Sequence, residues 1–261
     1  MEFENVILEK KGNIATIKLN RPKAFNSLNF ELGDDFAKAL EICQEDDEAK
    51  VIVITGAGRA FCAGGDVALF KESTDTSDTL RQLIKRLNLC IFLIRNIRKP
   101  VIAALNGATG GAGITIAAAC DLRICAASVK FRQAYTSIGL IPDGGWALLV
   151  PLLIGFGNAS ELVFLDPIFD AHKALELGLV NKVVDDGELE KVTRDIASKL
   201  ARGPSASFAI AKENLNSSML GLLERQLELE RKGMIMAGKT ADAAEGIASF
   251  LEKRKPAFTG Q

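Results

Sequence analysis

Histidine is almost absent from this chain. His172 is the only one in 261 residues, so no histidine cluster can hold a metal and a Ser-His-Asp triad is disfavoured. It stands in Asp170-Ala171-His172-Lys173-Ala174, a helix start, where a surface or core position is expected. No Cys-x-x-Cys pair occurs among the 5 cysteines (43, 62, 90, 120 and 125), and their number is odd. They read as small buried hydrophobes in a reducing compartment, not as redox or metal groups. Excess charge is also missing: 32 basic against 33 acidic residues leave a formal net charge of -1. Nothing in that balance advertises a nucleic acid or a membrane surface as partner. Every apolar run is interrupted by a charge or by glycines before it reaches membrane-spanning length. The opening Met1-Glu2-Phe3-Glu4 has neither the basic start of a signal peptide nor the arginines of a transit peptide. A cytoplasmic location is the expectation.

What is present is an alternation of strand and helix patterns. Val6-Ile7-Leu8, a turn at Gly12-Asn13 and Ile14 to Leu19 predict a hairpin. A helix opening near Asn29 carries Leu32, Phe36, Leu40 and Cys43 on one face. The β-branched run Val51 to Ile54 predicts a strand buried on both faces, as in parallel sheets. A longer amphipathic helix is expected over about Ser77 to Ile94. A strand at Val101 to Leu105, a small-residue helix from about Gly111 to Cys120 and a strand at Leu122 to Ala126 follow it. Alternation persists to Leu179–Val184, and from about Glu188 the pattern is helical. The expected class is α/β, with a core over 1–195 and a helical region over 196–261.

Two glycine-rich segments, Thr55 to Asp66 and Asn106 to Gly113, each follow a buried strand and precede a helix. Neither completes the dinucleotide fingerprint Gly-x-Gly-x-x-Gly, because Phe61 and Ile116 occupy the last position. Neither contains the Gly-Lys-Ser/Thr of a phosphate-binding loop. Two such turns could bring unpaired backbone N–H groups to one carbonyl oxygen and so form an oxyanion hole. They could equally be plain strand–helix turns.

Four stretches carry a family resemblance: Arg21 to Leu28, Gly58 to Asp66, Lys99 to Gly107, and the tail Glu245 to Phe258. They resemble the crotonase (enoyl-CoA hydratase/isomerase) superfamily, collinearly over nearly the whole chain. The resemblance implies the crotonase (ClpP-like) spiral of β-β-α repeats with a helical trimerisation region, often stacked into hexamers. It implies an acyl-CoA substrate and no cofactor, coenzyme A being part of the substrate. It places oxyanion N–H donors at Ala63 and Ala112. It places a coenzyme A path along Lys23, Ala24, Ala60, Asp66 and Val67, with Gly64, Gly111 and Tyr135 among the substrate contacts. Lys23 would meet a phosphate.

One departure matters. The two glutamates of the family's hydratases fall at Thr115 and Tyr135, and neither residue is a base near neutral pH. The nearby carboxylate is Asp143, in Ile141-Pro142-Asp143-Gly144-Gly145. Its position resembles the acidic residue of ring-epoxide and double-bond isomerases of phenylacetate degradation, and the nucleophile of aroyl-CoA dehalogenases. The competing reading of Asp143 is a helix N-cap. Trp146, Tyr135, Phe70 and Phe131 are candidates for an acyl pocket. The leading expectation is an enoyl-CoA isomerase using Asp143 with the Ala63 and Ala112 amides; the alternatives are a hydratase (including one for cyclic dienoyl-CoA) and a non-catalytic acyl-CoA-binding protein.

Overall fold

The computed structural model describes residues 3–71, 73 and 75–261. The chain starts with the expected hairpin: β1 (Val6–Lys11) pairs antiparallel with β2 (Ile14–Leu19) around Gly12, whose φ of 58° is the left-handed turn geometry glycine allows. The chain then enters α1 (Phe30–Glu45). The Asn29 side chain accepts the Leu32 N–H at 2.9 Å and so satisfies an orphan donor of the first turn.

From here the chain repeats one unit: a long buried strand, a three-residue strand, then a helix. The first unit is β3 (Val51–Gly56), β4 (Ala60–Cys62), α2 (Ala68–Lys71) and α3 (Thr76–Asn96). The second is β5 (Val101–Leu105), β6 (Ala108–Gly110) and α4 (Ala112–Ala119). The third is β7 (Leu122–Ala126) and β8 (Lys130–Arg132), then α5 (Trp146–Ile154) and α6 (Phe156–Leu165). β9 (Phe169–Asp170), α7 (Ala171–Glu176) and β10 (Lys182–Val184) close the spiral. The long strands form one sheet in the order β1-β2-β3-β5-β7-β10, parallel except for the hairpin. The short ones form a second, β4-β6-β8-β9. This is the α/β spiral of β-β-α repeats.

The short strands were not legible beforehand. Three residues are too few to show a period of two, and β4 and β6 lie inside the glycine segments that read as turns. α4 is buried along its whole length, so it has no polar face to betray a helical period. Gly113 lets it sit on β4: a Cβ there would stand 2.1 Å from the Cys62 carbonyl oxygen.

Four helices complete the chain: α8 (Leu189–Ala201), α9 (Ser205–Met219), α10 (Leu223–Ala237) and α11 (Ala241–Glu252). α8 packs on β2, β3, β5 and β7, so the division placed at 195/196 falls inside a helix that covers the main sheet. α9 is tied to the core through Lys212. Its ammonium donates to the Ile94 and Lys99 carbonyls and to Asp121 Oδ2 at 2.8 Å. α10 packs on α3 and α5, and α11 on α2 and the 3-10 turn Thr136–Ile138. In these helices Leu223 and Leu227 are buried within the chain, while Leu215, Leu222 and Leu229 are exposed and available to the trimer contact that the resemblance implies. The Met219 side chain lies outside the described atoms. No described helix is long and apolar enough to cross a membrane.

Candidate active site

Two asparagines, Asn26 buried and Asn106 half-buried, hold the first glycine turn. Asn26 is fully buried in left-handed backbone (φ 56°). Its Oδ1 accepts the Arg21 N–H, and its Nδ2 donates to the Ala57 and Ala60 carbonyls at 2.9 and 2.8 Å. Asn106 accepts the Gly56 N–H and donates to the Gly58 and Ala60 carbonyls. Arg21 reaches Asp66 at 2.9 Å and the Ser27 carbonyl at 2.6 Å. Segment 21–28 is thereby held against the first glycine turn. Arg21, Asn26 and Asn106 were not singled out from sequence as site residues, although they lie in the resembling stretches.

Between these turns, α3, α10 and α11 lies a cavity of about 320 Å³. It brings together Ala24, Ala63, Gly64, Asp66, Val67, Gly111, Ala112, Tyr135 and Asp143. Lys23 and Ala60 stand apart from it. Lys23 is exposed on the 3-10 turn Pro22–Ala24, and Ala60 is buried in β4. Phe70 lines the cavity, but Phe131 and Trp146 do not. Phe131 stacks on Phe169 with ring centroids 5.3 Å apart, and Trp146 is buried in the core. Aliphatic side chains contribute much of the rest, with Leu80, Leu83 and Leu87 from α3 and Met234 from α10, and Arg132, Ser27 and Ser137 add polar groups. His172 is exposed on α7, outside the cavity.

The two glycine turns touch. A Cβ on Gly64 (φ 111°) would stand 3.3 Å from the Gly110 carbonyl oxygen and 3.7 Å from Ala112 N. Ala112 is the first residue of α4, where an N–H has no intrahelical acceptor. The Ala63 expectation needs correction, because its N–H donates to the Phe25 carbonyl at 3.1 Å and is already committed. Two residues on, the backbone leaves a donor open. Leu28 N–H donates to the Gly64 carbonyl and Asp66 N–H to the Leu28 carbonyl, a parallel bridge that turns the Gly65 N–H away from Leu28. Gly65 lines the cavity, and its N–H has no acceptor among the described residues. Gly65 and Ala112 thus each line the cavity with a backbone N–H that has no acceptor among the described residues.

Another part of the lining is ionisable. Asp143 is buried at 7% exposure and accepts the Tyr135 hydroxyl on Oδ1 at 2.6 Å. Thr115, fully buried, donates to the Asp143 backbone carbonyl at 3.1 Å. Thus Thr115 and Tyr135, at the two positions where hydratase glutamates were expected, both bear on Asp143. The N-cap reading of Asp143 is overturned. Its side chain makes no cap bond, and α5 is capped instead by Glu230 of α10, which accepts the Gly145 N–H and the Ala147 N–H (2.9 Å). Burial pushes the Asp143 carboxyl from its ordinary 3.8 up to about 7; the Tyr135 hydroxyl pulls it down and the Glu230 carboxylate adds to the rise. Burial, with the charge of Asp143, holds the Tyr135 phenol well above its usual range.

The profile of the enoyl-CoA hydratase/isomerase family matches residues 9–261. The chain belongs to the enoyl-CoA hydratase/isomerase family. It is similar to a 1,2-epoxyphenylacetyl-CoA isomerase of Escherichia coli, 38% identical with 100% of both chains covered. It is also similar to a trans-2-decenoyl-[acyl-carrier-protein] isomerase of Streptococcus mutans, 34% identical with 100% of both covered. A short-chain-enoyl-CoA hydratase of Clostridium acetobutylicum is 33% identical over 98% of this chain and 97% of its own. Among solved structures, an enoyl-CoA hydratase from Mycobacterium avium subsp. paratuberculosis superposes with a TM-score of 0.90. It is 31% identical and covers 99% of this chain and 100% of its own. Members of this enoyl-CoA hydratase/isomerase family thus carry isomerase and hydratase names alike, and the residues at Thr115, Tyr135 and Asp143 bear on that choice.

Proposed function

We propose that this protein is an enoyl-CoA isomerase in which Asp143 moves the proton and the Gly65 and Ala112 amides hold the thioester oxygen. The carrying observation is a buried carboxyl in the cavity lining, raised to about 7, while Asp66, the other carboxylate of the lining, is paired with Arg21. On a 3-enoyl thioester, Asp143 takes a proton from C2. The C–H electron pair moves into the C1–C2 bond, and negative charge collects on the thioester oxygen. Collapse of that dienolate onto the proton returned at C4 shifts the double bond to C2–C3, with no net redox change. A base is most effective when its pKa lies near the working pH, and stabilised oxyanions form more readily at preorganised N–H donors.

The apolar side chains from α3 and α10 suit a hydrocarbon acyl group, and the exposed Lys23 is the cation we assign to a coenzyme A phosphate. Two relatives named isomerases support this reading. Adding water by the two-glutamate route would need bases that Thr115 and Tyr135 do not supply. The test is a panel of 3-enoyl-, 2-enoyl- and saturated acyl-CoA, followed by absorbance of the conjugated thioester and by mass. Conjugation without added mass supports isomerisation. Added water marks a hydratase, and binding without turnover marks a non-catalytic thioester-binding protein.

A further inference from the structure

Glu230 is the one buried carboxylate of the C-terminal helices whose bonds all run to the Asp143 turn or to its own helix. It lies on α10 at 4% exposure, within a helix that otherwise presents Leu223, Leu227 and Met234 to the core. A carboxylate there costs desolvation unless its oxygens are bonded. Both are: one oxygen accepts Gly145 N–H, and the other accepts Ala147 N–H and, at 3.1 Å, Gln226 Nε2. Gly144 and Gly145 have φ of 71° and 87°, so Asp143-Gly144-Gly145-Trp146 is a turn with little intrinsic preference for one shape. It leads into α5, whose own sequence provides no side-chain cap. A residue 85 positions away thus does what Asp143 would otherwise do as a cap.

We propose that Glu230 is the positioning residue of Asp143, fixing the turn that aims its carboxyl into the cavity and holding a second negative charge behind it. The inference rests on the isomerase reading above. The titratable groups that face Asp143 are Tyr135 and Glu230. They act in opposite directions: the phenol hydrogen bond favours the carboxylate, and the Glu230 charge disfavours it. Burial raises the pKa of Glu230 itself, while Gln226 and the turn amides draw it back. Removing the Glu230 charge therefore lets Asp143 ionise at lower pH, and shortening its side chain loosens the turn without removing the charge. Through Glu230 the C-terminal helical region acts on the proton-transferring group while touching substrate only through apolar side chains.

The experiment compares wild type, Glu230→Gln and Glu230→Asp on a 3-enoyl-CoA, reading kcat, KM and the acid limb of kcat against pH. For Glu230→Gln the expected result is a lower kcat with KM little changed and the acid limb displaced to lower pH. For Glu230→Asp, kcat falls but the acid limb stays at the wild-type pH. A loss of thermal stability alone, with kcat and both acid limbs unchanged, overturns the proposal and leaves Glu230 as a helix cap. Should neither variant fold, Asp143→Asn gives the reciprocal reading, since coupling between two titrating groups is mutual. Infrared titration of the remaining buried carboxyl should then show Glu230 losing its proton at lower pH than the upper carboxyl step of wild type. A remaining step at the upper wild-type position would mean that Glu230 is uncharged while Asp143 titrates, and overturns the proposal. If Asp143→Asn keeps full turnover, the isomerase reading itself has failed, an outcome distinct from any result at Glu230.

Discussion

The two walls of the cavity are built on different principles. One is backbone: the amides of Gly65 and Ala112, aimed by Asn26, Asn106 and the bridge to Leu28. The other is side chain: Asp143 with Tyr135 on its carboxyl, Thr115 on its carbonyl and Glu230 behind its turn. Amides survive most substitutions, which is why alanine at 112 leaves that wall intact. The side-chain wall changes its chemistry with a single residue. In the proposed reading, threonine and tyrosine at 115 and 135 position the Asp143 carboxyl where a hydratase would hold water. On this proposal, oxyanion stabilisation rests on the backbone and the reaction is set by side chains.

Four substitutions test that division, beginning with the largest effect. Asp143→Asn keeps the size of the side chain but cannot accept a proton. Isomerisation should fall by about 10²–10⁴-fold while thioester binding, measured by calorimetry, holds. Next, Ala112→Pro removes a main-chain donor at the first position of a helix, where proline is tolerated. Losing one oxyanion donor should cost about 10²–10³-fold in kcat, with the folded state checked by circular dichroism. Near-normal turnover in that variant would break the backbone half of the comparison. Third, Tyr135→Phe deletes the hydrogen bond that holds the Asp143 pKa down. The acid limb of the rate profile should move to higher pH, with rate lost at neutrality and recovered in base. Smallest is Thr115→Val. The Asp143 carbonyl keeps the Trp146 N–H at 3.3 Å, so stability should drop by about 1 kcal/mol and turnover should change little.

Much of this was readable in the chain itself. The hairpin, the β-branched strand at 51–54, the stripe Leu32/Phe36/Leu40/Cys43 and the helix after Asp75 declare themselves by period and cap, because each buries one continuous face. The resemblance pointed to the glycine segments, and Asp143, Tyr135, Gly111 and Ala112 do share one cavity. What failed depended on direction and distance. Which amide of Ala63-Gly64-Gly65 is open depends on a bridge to Leu28 some 35 residues upstream, and no local pattern reports it. The capping of α5 by Glu230 was invisible for the same reason. Asp before two glycines and a helix is a sound local cap signal, and a tertiary contact replaced it. Short strands β4, β6 and β8 carry no period to read.

Asp143 also leaves a mark on stability. Its carboxyl stays protonated in the folded chain up to about 7 but ionises near 3.8 when unfolded, so between those values the folded state holds the extra proton. Its contribution is full below the unfolded value and is lost as pH rises towards about 7. Asp143→Asn removes that dependence, which gives the substitution a readout separate from catalysis.

The central claim is that Asp143 is the proton-transferring base, and solvent-deuterium incorporation into a bound enoyl-CoA, followed by mass across pH, tests it most directly. For the wild type, exchange should rise with pH as one group of pKa about 7 ionises. For Asp143→Asn it should be absent at every pH. Exchange that ignores pH in the wild type, or that continues at the wild-type rate in Asp143→Asn, would place the base elsewhere in the cavity.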